Sequence, residues 1–202
     1  MARAQVGNLV AGGGDSHMRE IMNHVHDILR ADGQVLGLRV AADSNCGLGG
    51  AKFENYLKSP EYSQLLQGAS NINIICIGGN DMDDVNANFQ SLKKNLKDMV
   101  SNLEALGRIV YIVESPRRHT FRKADQRDWH TCMNAINKFC IKSLRGKYIK
   151  LPTNGENMYA REAFVEQNWG RGIELVHLRD DLYLEYARHI LRFISTDLGL
   201  WL

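Results

Sequence analysis

The chain has 202 residues, of which 44% are hydrophobic and 24% charged, and its formal net charge is +2. These values are ordinary for one globular domain with a sizeable core, and so mild a basicity neither demands nor excludes a nucleic-acid partner. No stretch approaches the roughly 18 uninterrupted apolar residues of a membrane helix, and the first residues lack the pattern of a secretory signal. Cys46, Cys76, Cys132 and Cys140 form no C-x-x-C pair, so reduced cysteines in an intracellular protein, cytoplasmic or nuclear, are expected.

Residues 6–11 are short, mostly apolar and run into Gly12-Gly13-Gly14, as a buried parallel strand would. Met18, Ile21, Met22, Val25, Ile28 and Leu29 then recur at helical spacing, which predicts a helix over 15–30. Ser16 falls at its N-terminus, where free N–H groups and the helix dipole favour a developing anion. The same residues also suit an ordinary glycine-rich turn with Asp15 or Ser16 as a helix N-cap. Neither Gly-x-x-x-x-Gly-Lys-Ser/Thr nor Gly-x-Gly-x-x-Gly is completed here.

Asp32-Gly33 reads as a stop, with a second strand over 34–40 and a glycine-rich loop over 45–50. A helical segment over 51–66 is interrupted by Pro60. The third strand, 72–77, is the most apolar and ends in Gly78-Gly79-Asn80-Asp81. Phe89, Leu92, Leu96, Met99, Val100 and Leu103 mark a long amphipathic helix closed by Gly107. A fourth strand covers 108–113, a helix 124–144 and a short fifth strand 148–151. Residues 154–172 have no clear period, and 173–178 precede a last helix over 180–196. This alternation, with no linker or repeat, predicts one domain over 1–202. Its fold would be a three-layer α/β/α, doubly wound, parallel five-stranded sheet of flavodoxin-like kind, with ligands at the carboxyl ends of the strands.

Four blocks stand in order along this frame: Gly14-Asp15-Ser16-His17, the glycine loop ending in Gly50, Gly78-Gly79-Asn80-Asp81, and Glu174-x-x-His177-Leu178. Together they resemble the SGNH hydrolases, or GDSL-type esterases, over nearly the whole chain. The resemblance implies Ser16 as nucleophile and His177 as general base. It also implies an oxyanion hole of the Ser16 N–H, the Gly50 N–H and the Asn80 side-chain amide; Gly49 competes with Gly50 because the register of the Gly-Gly pair is open. The chemistry accounts for the set. A histidine with an ordinary pKa of roughly 6.5 takes the serine proton, and fixed donors receive the charge that forms on the carbonyl oxygen.

The family normally has aspartate three residues before the histidine, and this chain has Glu174 there. Either Glu174 orients the imidazole despite its extra methylene, or a Ser-His dyad works with a backbone carbonyl, Asp180 or Asp181. Reduced activity is the expectation. No metal or other cofactor is implied, since no cluster has ligand spacing and this chemistry needs none.

Arg117, Arg118, Arg122 and Lys123, with Phe121 among them, follow the fourth strand as a candidate patch for a phosphate, a nucleic-acid backbone or an acidic lipid head. The Gly-Asp-Ser-His start and the Pro-Arg-Arg after the fourth strand resemble the esterase domain of some LINE-type retrotransposons. A related intracellular branch is the RNA-binding OSK domain. The sequence thus leads to a serine esterase acting on short acyl or acetyl esters. Its alternative is an SGNH-fold module that binds RNA or an acidic partner with weak or no turnover.

Overall fold

The computed structural model describes residues 8–83, 88–116, 118, 126–144, 147–152, 163–165, 167–168, 173–174 and 176–200, with the backbone alone at 33–35, 126–128, 167–168 and 173–174. Five strands form one parallel sheet in the order β2-β1-β3-β4-β5: β1 Asn8–Gly14, β2 Leu38–Gly47, β3 Ile72–Cys76, β4 Ile109–Val113 and β5 Tyr148–Ile149. The helices are α1 Ser16–Leu36, α2 Phe53–Tyr56, α3 Pro60–Gln67, α4 Gly79–Met82, α5 Phe89–Ala105, α6 Gln126–Ser143 and α7 Asp180–Asp197. A two-residue antiparallel pair, β6 Gln167–Asn168 with β7 Ile173–Glu174, stands apart from the sheet. The expected doubly wound α/β architecture is therefore the observed one.

Strand alternation assigns the layers. Val10, Ile72, Ile74, Tyr111 and Val113 share one core cluster with α1 and α7, whereas Ala11, Ile75, Val110 and Ile112 share another with α2, α3, α5 and α6. Because side chains point alternately to the two faces, a sheet with apolar residues at both parities must be covered on both. Local chemistry sets several helix starts. Ser59 caps α3 by accepting from Tyr62 N, with Pro60 at its first position, and Asn88 caps α5 by accepting from Ser91 N.

Two boundaries depart from the expectation. Helix α1 continues through Gly33 to Leu36, so residues 34–36 are helical rather than part of the second strand. Leu36 is buried in the core, its carbonyl accepts from Ser195 Oγ at 2.9 Å, and the helix ends at Gly37, whose φ is +64°. Interior glycine costs a helix only about 1 kcal/mol, which the burial of a leucine offsets. Strand β2 consequently starts later and runs to Gly47, taking in much of the expected glycine loop. Its register against β1 jumps from Val10↔Val40 to Gly12↔Asn45, with Asp43 at φ +51° in the bulge.

Candidate active site

All five strands of the sheet point the same way, so the segments after β1, β2, β3 and β4 gather at one edge. Gly14 makes the first turn. Its φ is +142°, and a Cβ there would lie 1.9 Å from the Cys76 carbonyl oxygen, so glycine alone fits. Asp15 follows, fully buried: its N–H donates to Cys76 O at 3.1 Å and its Oδ1 accepts from His17 N at 3.0 Å. Asp15 is thus the N-cap of α1. With the cap filled, the hydroxyl of Ser16 is free for another partner, and that partner is His177, whose Nε2 lies 2.9 Å from Ser16 Oγ. Ser16 is itself the first residue of α1, where the N–H has no acceptor inside the helix.

His177 is held from both sides. Val165 N donates to its carbonyl at 2.9 Å, Arg179 N donates to Ala163 O at 3.0 Å, and Phe164 and Leu178 form an antiparallel bridge. The Tyr183 hydroxyl accepts from Leu178 N at 3.3 Å and contacts His17 Nδ1 at 2.7 Å. Burial lowers the His17 pKa well below its ordinary value, with the nearby positive charges of Arg118 and His177 acting in the same direction. His17 is therefore neutral. Tyr183 Oη thus accepts the Leu178 N–H and shares one hydrogen with His17 Nδ1. A cavity of about 300 Å³ opens beside His177 and Tyr183, walled by Arg19, Glu20, Val165 and Asp180.

The other two loops are stitched to each other. Leu48 N donates to Gly14 O at 2.9 Å and Ala51 N to Leu48 O at 3.3 Å, closing a turn in which Gly50 has φ +69°. Asn80 Nδ2 donates to Ala51 O at 3.0 Å, and both oxygens of Asp81 accept from Phe53 N, at 3.1 and 3.0 Å. The Gly50 turn is thus tied to the strand end beside Ser16 on one side and to Asn80 on the other. Burial raises the Asp81 carboxyl to about 6. Asp15 is likewise raised to about 6 by burial, against the opposing pull of Arg118.

The structure brings together Ser16 and His177, and joins Asn80 to the turn that holds Gly49 and Gly50. Glu174 stands in β7 opposite Gln167, and its side chain lies outside the described residues, as do Arg117, Arg122 and Lys123. Asp180 Oδ1 is 3.0 Å from His24 Nε2, and Asp181 accepts from Arg179, so both carboxylates have partners other than His177. Arg118 is a correction. It is 2% exposed, its guanidinium on Asn80 and Asp83, and it forms no part of a surface patch. The sequence also missed the pairing of His17 with Tyr183, because nothing local links residues so distant along the chain. Among the described residues, no group of three or more His, Cys, Asp or Glu side chains is placed to hold a metal ion, and no helix is long and apolar enough to cross a membrane.

The sequence matches no family model and no curated protein. Solved structures do match. A lipase/acylhydrolase from Enterococcus faecalis is 16% identical with a TM-score of 0.68, over 94% of this chain and 96% of that one. A GDSL-like lipase from Bacteroides thetaiotaomicron is 13% identical with a TM-score of 0.64, over 98% and 93%. An acetylxylan esterase from Geobacillus stearothermophilus is 17% identical with a TM-score of 0.63, over 93% and 94%. The similarity spans the whole sheet and its helices, and the chain has the fold of the SGNH hydrolases, the GDSL-type lipolytic acylhydrolases.

Proposed function

We propose that the protein is a serine hydrolase of carboxylic esters with short acyl or acetyl groups. The observation that carries this reading is the 2.9 Å contact between Ser16 Oγ and His177 Nε2, two residues 161 apart in sequence. Buried serine and histidine side chains are more commonly satisfied by nearby backbone. Here the cap of α1 is supplied by Asp15, which leaves the Ser16 hydroxyl to the imidazole. Similarity in fold to lipolytic acylhydrolases and an acetylxylan esterase adds support.

In this mechanism His177 Nε2 takes the Ser16 proton as Oγ bonds to the ester carbonyl carbon, whose π electrons move onto the oxygen. The Ser16 N–H, the Gly50 N–H and one N–H of Asn80 Nδ2 receive that charge. The oxyanion collapses, the bond to the alcohol oxygen breaks, and that oxygen leaves with the proton from His177. Water then repeats the sequence against the acyl-serine and releases the acid. Glu174, three residues before His177, would orient the imidazole and stabilise it while charged.

The test is hydrolysis of p-nitrophenyl acetate and butyrate by the wild type and by Ser16→Ala, both checked for folding. Turnover lost in Ser16→Ala is expected; equal background rates in the two proteins would refute the reading. Binding of RNA or an acidic partner loses Arg118 from the candidate basic patch, since its side chain is buried.

A further inference from the structure

Arg118 carries a charge into the interior directly behind the candidate oxyanion site. Its Nη2 donates to Asn80 Oδ1 at 2.7 Å, and its Nη1 stands 3.5 Å from Asp83 Oδ2, with both charged side chains almost fully buried. A Cβ added to Gly79 would lie 3.1 Å from Nη2, so the turn that carries Asn80 rests against the guanidinium. Trp129 closes the same turn by donating to Gly79 O at 3.1 Å.

A guanidinium donates and never accepts. The amide atom that meets it must therefore be the oxygen, which places the Asn80 nitrogen at the opposite corner, where it donates to Ala51 O at 3.0 Å. That nitrogen carries two hydrogens, and Ala51 takes one of them. A buried ion pair is weak ground for stability, and apolar replacements of such pairs are often neutral or better. The separation from Asp83 is also longer than a charge-assisted hydrogen bond, whereas the bond to Asn80 is short. Stability alone does not account for a buried guanidinium aimed at an amide.

We propose that Arg118 is a positioning residue that locks the Asn80 amide, so that Nδ2 keeps one N–H on Ala51 and presents the other to the oxyanion. Asp83 balances its charge. The kinetic consequence rests on the ester-hydrolase reading above; the lock itself does not.

Four proteins test it: wild type, Asn80→Ala, Arg118→Lys and the double variant, each with a thermal midpoint measured. Lysine keeps the buried charge opposite Asp83 but replaces the planar fork with a point donor. With p-nitrophenyl acetate, Asn80→Ala should lower kcat by about 100- to 1000-fold and Arg118→Lys by about 10- to 100-fold, with KM changed less than about twofold. The double variant should be no slower than Asn80→Ala by more than about twofold, because Arg118 acts through Asn80. Multiplying losses would overturn the proposal.

The second readout needs no activity. The Asn80 side-chain amide signals, identified by their disappearance in Asn80→Ala, should be dispersed and slow to exchange in the wild type. In Arg118→Lys they should move toward those of a free asparagine. Unchanged signals would overturn the lock. Should Ser16→Ala hydrolyse as fast as wild type, the ester-hydrolase reading fails and the amide signals alone decide the role of Arg118.

Discussion

Tyr183 Oη lies 2.7 Å from Nδ1 of His17, joining the start of α7 to the residue beside Ser16. The same oxygen receives Leu178 N–H, so one hydroxyl braces both the serine turn and the segment that carries His177. The His17 and His177 rings are 5.4 Å apart. Burial keeps His17 neutral, which in the proposed mechanism would spare a charged His177 a second positive neighbour.

Tyr183→Phe removes that brace without changing volume much. It leaves His17 Nδ1 and Leu178 N without their partner in the interior, and the expected loss is about 1–3 kcal/mol in urea unfolding. Activity should fall as well, because the His177 segment loses an anchor. An unfolding midpoint equal to wild type would show the hydroxyl to be idle.

The two glycines of the turns should lose very different amounts of stability on substitution by alanine. At Gly14 the new methyl would collide with the Cys76 carbonyl, a backbone atom that cannot swing aside, and the protein should lose well over about 3 kcal/mol or fail to fold. At Gly50 a Cβ meets nothing within 4 Å, so only the strain of φ +69° remains, about 1 kcal/mol. Thermal unfolding of the two variants checks the contrast; equal losses would contradict it.

Burial raises the carboxyls of Asp15 and Asp81 from the ordinary 3.8 to about 6. The folded chain therefore binds these protons more tightly than the unfolded chain does. Their contribution to stability is fully present below about pH 4 and is lost as pH rises through about 6. Asp15→Asn retains a side-chain oxygen for the cap and cannot ionise. Its thermal midpoint relative to wild type should therefore be higher at pH 7.5 than at pH 4.5, by the equivalent of roughly 2 kcal/mol. A difference that does not vary with pH would argue against a buried titrating carboxyl.

Asp180 and Asp181 are committed to His24 and Arg179. Asp180→Asn and Asp181→Asn should leave kcat on p-nitrophenyl acetate within about twofold, since both carboxylates are largely exposed and bonded to His24 and Arg179. Glu174→Gln should lower kcat by at least about tenfold if glutamate fills the aspartate role of the family. The reverse ranking would move the acid to the first turn of α7.

The sheet, its strand count and the glycine turns that end the strands were legible in the sequence, because each is a local signal. Buried strands of a parallel sheet are continuous apolar runs, and a turn at φ +142° admits little but glycine. The order of the four blocks likewise singled out Ser16 and His177, whose side chains the fold brings within 2.9 Å, and Asn80 as a candidate beside them. Tertiary structure alone decided the rest. Helix α1 overrode the Asp32-Gly33 stop because Leu36 had a core to enter, and β2 gained its bulge from pairing with β1. Arg118 sits in a run of basic residues that reads as a surface, yet its guanidinium is buried on Asn80. Sequence shows that a side chain is charged, but only the packing of layers shows which polar group will meet it inside. Hydrogen bonds between residues more than a hundred positions apart, such as Ser16 with His177 and His17 with Tyr183, exist only once both layers have closed on the sheet.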